Sequence, residues 1–329
     1  MGTVTDMGKF QKSPNGNVLV KKPDASAETL RKMLADQSKE EGLIYIPKNN
    51  EVAQLSAAMK LGQPIALIGP PGIGKTTLVR AMARMQKLPL TTVMGKQTAK
   101  IHELVGYLQD TPEGVVYFDG LISQAVRANT PSILYIDEAI EQSGHIFTSL
   151  SSLFDNRRML YLDPTGEALN ANHVSVIIAF NPPQIDMRDQ LPTPATLDRF
   201  VMIRFSSPSG ADALGVLKLK YGIGSAANAL GSPVQNTAMT EALKKHGESL
   251  AKIYDELNSK IATAHSSVVV KKVTPRSMES TLLLISAGIS LKEAVDMAMI
   301  TPMVPLEDEM VDRFMAAAGQ IAESNKSRK

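Results

Sequence analysis

Three groups of residues in this chain have types and spacings that chemistry would require. The first is Gly69-Pro70-Pro71-Gly72-Ile73-Gly74-Lys75-Thr76, which fits the pattern G-x-x-x-x-G-K-[ST] and is followed by Thr77. Its glycines let main-chain N–H groups wrap an anion without side-chain obstruction. Lys75 supplies a cation for β- and γ-phosphates, and Thr76 a hydroxyl for Mg²⁺. The second group is Asp137-Glu138, at the end of the apolar run Ile133-Leu-Tyr-Ile. Asp137 is suited to holding Mg²⁺ through water, and Glu138 to deprotonating an attacking water as a general base. Together the two groups point to binding Mg-ATP and hydrolysing it to ADP and phosphate. The third group is looser: Asn181 after VIIAF, Arg199 in LDRF and Arg276 in TPR. Alone, Asn181 fits a strand-ending turn as well as a water-aligning amide. Each arginine fits a surface charge as well as a phosphate contact.

The elements that must position these residues alternate along the chain. PIALIG (64–69), LTTVM (90–94), SILYID (132–137), VSVIIAF (174–180) and VMIRF (201–205) are short apolar runs with the character of buried strands. Helical patterns separate them, KTTLVRAMARMQ (75–86) among them. Strands that are apolar throughout, joined by helices, predict a parallel sheet covered on both faces. In such sheets ligands bind beyond the C-terminal strand ends, where both Gly69 and Asp137 fall. The helix at 75 directs its positive end at the same anion.

Domain boundaries follow from the change of pattern. Residues 1–40 read as a flexible N-terminal extension with a turn at Asn15-Gly16 and one short helix, SAETLRKMLAD (26–36). Residues 41–208 form the α/β nucleotide-binding domain. Residues 209–329 read as a small all-helical lid, with helical patterns at 211–222, 240–264, 275–288, 291–300 and 307–323. Met-rich faces there suit core filling.

Composition excludes several classes of function. The 329 residues carry 35 Lys+Arg against 33 Asp+Glu, a formal net charge of +2, a near-balance that argues against a general polyanion binder without excluding one. There is no cysteine, so disulfides and thiolate metal sites are excluded. The five histidines are scattered, with no pair at i, i+4. MGTVTDMGKF lacks the apolar core of a secretory signal, and no apolar run reaches membrane-span length. A soluble, cytoplasmic protein is expected.

The succession GPPGIGKT, ILYIDE, IIAFN, LDRF and TPR resembles the AAA+ ATPases of the MoxR type. That resemblance implies Asn181 as sensor 1, Arg199 as an arginine finger acting on a neighbour's ATP, and Arg276 as sensor 2. An acting finger implies an oligomer, expected as a hexameric ring. ELVGYLQDTPEGVVYFDGLISQAVRAN (103–129) has the shape of the hairpin inserted in helix 2 of this group, and RRMLYLDPTGEALNANH (157–173) that of the hairpin before sensor 1. IYIPKNNEVAQL (44–55), FDGLISQAV and AVDMAMITPMVPLEDEMVDRFMAA (294–317) are most similar to the CbbQ/NirQ/NorQ/GvpN branch. PTPATLDRF and TPR are nearer to general MoxR and chelatase forms.

The resemblance implies a ring ATPase that remodels, activates or assembles a client protein or metalloenzyme. It also implies a partner bearing a von Willebrand factor A domain. The alternative is a nucleic-acid motor or loader of the same class, which the near-neutral charge and the absence of an added basic module disfavour.

Overall fold

The computed structural model describes residues 10–14, 19–21, 42–94, 101–112, 114–139, 150–181, 197–225, 229–263 and 272–303, with 316 and 319. Its strands are β1 (Phe10–Lys12), β2 (Leu19–Lys21), β3 (Ile44–Tyr45), β4 (Ile65–Ile68), β5 (Leu90–Met94), β6 (Gly106–Thr111) and β7 (Gly114–Asp119). Then follow β8 (Ser132–Asp137), β9 (Met159–Leu162), β10 (Glu167–Asn170), β11 (Val174–Phe180), β12 (Val201–Arg204) and β13 (Leu230–Gly231). The helices are α1 (Glu51–Lys60), α2 (Lys75–Gln86), α3 (Ile101–Leu104), α4 (Leu121–Arg127), α5 (Ser151–Phe154), α6 (Gly210–Lys220), α7 (Thr237–Thr263), α8 (Pro275–Ser286) and α9 (Leu291–Val295). A π-helical turn (Asp296–Ile300) continues α9.

The chain divides into two compact units. The first comprises Met1–Glu40, Asn49–Gly69 and Leu78–Phe205. At its centre lies a five-stranded sheet in the order β12-β4-β11-β8-β5, in which every neighbouring pair is parallel. The five apolar runs of the sequence are these five strands. Ser132 through Ile136 of β8 are all buried, so neither face of the sheet's interior meets water. Parallel strands need helical crossovers, which cover both faces.

Both expected hairpins are present. β6 and β7 pair antiparallel from Gly106↔Asp119 to Thr111↔Gly114, and β9 pairs with β10 from Met159↔Asn170 to Leu162↔Glu167. The first hairpin belongs to a four-stranded sheet of order β1-β2-β7-β6. Its other two strands come from the N-terminal stretch that the sequence suggested as an extension. β2 runs parallel to β7, and Val20 is fully buried in the same hydrophobic cluster as Tyr117. Strands of three residues carry no readable alternation, which is why the turn signals dominated that stretch. The helices expected at 26–36 and 307–323 lie outside the described residues, 316 and 319 apart.

The second unit comprises Glu41–Lys48, Pro70–Thr77 and Ser206–Lys329. Its core is formed by α6, α7, α8 and the π-helical turn around Leu214, Leu250, Tyr254, Leu257, Met278 and Leu282, all buried. Capping boxes start three of its helices: Ser209 with Asp212, Thr274 with Ser277 and Ser290 with Glu293. Lys48 ties the short N-terminal piece to α6 through Asp212, at 2.7 Å. The division falls three residues before the boundary read from the pattern change, and it places the phosphate loop with the helical residues.

Candidate nucleotide site

In the first unit, three parallel strands bring their C-terminal ends to one edge of the sheet. Ile68 of β4 lies beside Phe180 of β11, and Ile136 of β8 beside Ile178. Each strand is followed at once by a candidate residue: Gly69 after β4, Glu138 after Asp137 on β8, and Asn181 after β11. The Gly69 N–H donates to the Phe180 carbonyl at 3.3 Å, which fixes the entry of the loop against the strand bearing Asn181. With strands about 4.8 Å apart, Asn181 stands between the loop's first residue and the acidic pair, about one strand spacing from each.

Glu138 has φ +52, a left-handed conformation that a non-glycine residue adopts at a cost of about 1–3 kcal/mol. Its N–H donates to Asp137 Oδ1 at 3.0 Å. The kink exposes the Glu138 side chain while the strand before it stays buried. A strained acid at the ligand edge of a sheet is where a reactive carboxylate would be held.

Arg199 is placed differently. β12 is an edge strand whose Val201 pairs with Ile65 and whose Arg204 pairs with Ile68, so it runs in the same direction as β4. Arg199 precedes β12 and therefore belongs to the opposite edge of the sheet. From the level of Val201 to that of Gly69 is about 13 Å along the strands. The Arg199 Nη1 donates to the Ser151 carbonyl at 3.0 Å, and the neighbouring Phe200 ring packs on Phe154, with centroids 5.1 Å apart.

In the second unit, Pro70, Pro71, Gly72, Ile73, Gly74, Lys75, Thr76 and Thr77 form the rest of the loop and the first turn of α2. Gly72 has φ +72 and Gly74 φ +97, so two of the loop's positions need glycine's backbone freedom. A side chain at either would also meet a neighbour: a Cβ at Gly72 would fall 3.0 Å from the Thr274 Cβ, and one at Gly74 3.4 Å from the Tyr45 ring. Lys75 is only 8% exposed, and its Nζ donates to the Pro70 carbonyl at 2.9 Å, so the ammonium is held at the loop's own mouth. Main-chain N–H groups freed by these glycines, a lysine and a hydroxyl are a donor set that suits a polyphosphate with its Mg²⁺.

Thr274 is the N-cap of α8, and Arg276 lies in that helix's first turn with its side chain exposed. The helix bearing Arg276 thus starts against the phosphate loop. Tyr45 and Thr274 were not singled out by sequence reasoning. Thr274 opens the TPR motif and Tyr45 lies within IYIPKNNEVAQL, but neither motif implies packing against the loop, since each residue meets a glycine far away in the chain.

A buried charge cluster in the first unit also escaped the sequence. Arg127 of α4 donates to both oxygens of Asp119, at 2.8 and 3.2 Å, and to both of Glu167, at 2.9 Å each. It joins the end of the β6–β7 hairpin to the start of β10. Burial pushes the Asp119 carboxyl up despite the Arg127 hydrogen bonds, whereas those bonds hold Glu167 below its usual value. The same burial, with the Asp119 charge, pushes the Tyr117 hydroxyl up to about 12.

Comparison with known proteins bears on this arrangement. Residues 64–200 match the AAA domain (dynein-related subfamily). The chain is 34% identical over 169 residues to the denitrification regulatory protein NirQ of Stutzerimonas stutzeri, covering 51% of this chain and 60% of that one. It is 34% identical over 181 residues to protein NorQ of Paracoccus denitrificans, covering 54% and 66%. It is 28% identical over 233 residues to protein CbbQ of Hydrogenophilus thermoluteolus, covering 70% and 83%.

The chain carries an AAA+ ATPase domain related to those of the NirQ, NorQ and CbbQ proteins.

It spans less than two thirds of the length of the NirQ and NorQ relatives it matches. The matched AAA domain runs from the residue before β4 to the residue before β12, and so takes in the phosphate loop, the acidic pair, both hairpins, Asn181 and Arg199. Arg276 lies beyond it. Among the described residues, no helix is long and apolar enough to cross a membrane.

Proposed function

We propose that this chain hydrolyses Mg-ATP as a subunit of a hexameric ring and uses the cycle to remodel or activate a client protein. The observation that carries this reading is the strained Glu138 at the ligand edge of an AAA domain's sheet, in register with the strand that opens into the phosphate loop. In this reading the main chain of 69–74, with Lys75, Thr76 and Thr77, binds the triphosphate. Thr76 and Asp137 hold Mg²⁺, which neutralises charge on the β- and γ-phosphates when bound. Glu138 takes the proton of the attacking water, and Asn181 aligns that water. Arg199 serves the neighbouring subunit. Arg276 senses the γ-phosphate, and residues 209–329 act as the lid that responds.

A cytoplasmic setting and a partner with a von Willebrand factor A domain belong to the same reading and rest on the MoxR-type resemblance. The NirQ relatives are denitrification regulatory proteins, which supports a regulatory role toward the client. Glu138→Gln tests the chemistry. It is expected to bind ATP as the parent does and to turn it over roughly 10²- to 10⁴-fold more slowly, measured as phosphate release. Parental turnover by this variant would place the base elsewhere. Stimulation of the parent by DNA or RNA, and not by protein, would favour the nucleic-acid alternative.

A further inference from the structure

Arg158 is 6% exposed, deep in the first unit, and stands at the start of the second hairpin segment, where no role has been assigned to it above. Its Nη1 donates to the Leu153 carbonyl at 3.1 Å. Its Nη2 donates to the carbonyls of Val174 and, at 3.4 Å, Ala171. Among the described residues its guanidinium thus meets three main-chain carbonyls and pairs with no carboxylate. Its own backbone is left-handed, with φ +50, and its main chain is bonded on both sides, to Asp155 and Ala171. A buried charge satisfied only by carbonyls is an expensive way to fill a core, since an apolar side chain of similar volume is often as stable or more so. What it supplies is fixed geometry: a rigid planar fork that holds three carbonyls in set places.

The carbonyls it holds are informative. Leu153 belongs to α5, a helix of four residues with no side-chain cap. The Ser151 carbonyl, at the start of that helix, receives the Arg199 guanidinium, and Phe154, at its end, packs on Phe200. The seat of Arg199 is therefore α5, and α5 is pinned from below by Arg158. Asp155, just after the helix, also lies close enough to Arg199 for its carboxyl to be held low, chiefly by hydrogen bonds from Arg157 and in smaller part by Arg199. We propose that Arg158 is a positioning residue for Arg199: through α5 it sets where the finger guanidinium is presented to the neighbouring subunit. The proposal rests on the reading of Arg199 as a finger acting in trans.

The test uses full-length chains, alone and in mixed rings, with co-assembly demonstrated. Arg158→Met is expected to bind ATP like the parent, to keep its KM and to lose roughly 10- to 100-fold in kcat, the scale of a misplaced catalytic group. Arg158→Lys, which keeps the charge but not the fork, is expected to lie between. Mixing then assigns the defect. Arg158→Met with Glu138→Gln is expected to recover activity, because the former keeps its base and receives a finger from the latter. Arg158→Met with Arg199→Ala is expected to stay inactive, because neither delivers a finger.

Recovery in that last mixture would overturn the proposal, since it would show that Arg158→Met still presents Arg199 correctly. So would parental kcat in Arg158→Met, or failure of both Arg158 variants to assemble, which would make Arg158 a core residue and nothing more. If Arg199→Ala mixed with Glu138→Gln stays inactive, the trans finger itself is wrong. If that control recovers while the Arg158 mixtures behave otherwise than expected, only the role of Arg158 is wrong.

Discussion

Lys75 and Arg127 are both cations withdrawn from solvent, yet their surroundings give them opposite duties. Lys75 meets a carbonyl of its own loop and two left-handed glycines, a setting that favours an incoming anion. Lys75→Ala is expected to abolish ATP binding or weaken it severely while the fold persists; undiminished affinity in a titration would contradict the loop assignment. Arg127 is already saturated by Asp119 and Glu167, with side-chain exposures of 8, 9 and 12% for the three residues. Arg127→Met would leave two buried carboxylates without their cation, at a cost of about 3–5 kcal/mol. The sign with pH follows from the carboxylates. In the variant both would have raised folded pKa values, so the folded state would bind protons more readily than the unfolded one. The loss should then be largest at pH 7, where both are ionised, and shrink as pH falls through the raised values. Urea unfolding at pH 7 and near pH 5 measures this, and an equal loss at both would contradict it. The motifs around Lys75 and Glu138 were legible in the sequence because they are contiguous. Arg127 was not, because its partners lie 8 and 40 residues away. Arg158 was hidden for the same reason, since its fork reaches carbonyls up to 16 residues distant.

At the scale of elements, the buried strands were legible since apolar runs of four to seven residues separated by helical patterns have few other uses. The two hairpins were legible through their turns. The sheet that β1 and β2 add to the first hairpin was not, because pairing between strands so short is decided by the partner edge and by the burial of Val20, not by local pattern. Helix α8 shows how an element delivers a side chain. Its capping box fixes where the helix begins, with Thr274 accepting from the Ser277 N–H at 3.2 Å, and that beginning lies against Gly72. Thr274→Ala should remove the cap at a cost of about 1 kcal/mol and disturb the first turn that carries Arg276. Both Thr274→Ala and Arg276→Ala are expected to discriminate less between ATP and ADP, the arginine variant more strongly. Nucleotide competition measures it, and parental discrimination in Arg276→Ala would return that residue to the surface.

At the scale of the whole molecule, the sheet gives the chain two chemically different edges. One gathers Gly69, Asp137, Glu138 and Asn181; the other begins β12 and carries Arg199, held by Ser151. The proposed finger thus starts from the edge opposite the subunit's own acidic pair; if in a closed ring it serves the next subunit, hydrolysis would depend on assembly. No residue of the sequence could state this alone, since Arg199 in LDRF reads equally as a surface charge, and only the parallel register sets it at the sheet edge opposite Gly69 and Glu138. The measurement that tests the account most directly is ATP turnover by mixed rings of Arg199→Ala and Glu138→Gln, each expected to be nearly inactive alone. The account predicts recovery on mixing, because an Arg199→Ala subunit keeps its own base and receives its neighbour's arginine. Continued inactivity despite proven co-assembly, or full activity of Arg199→Ala by itself, would contradict it.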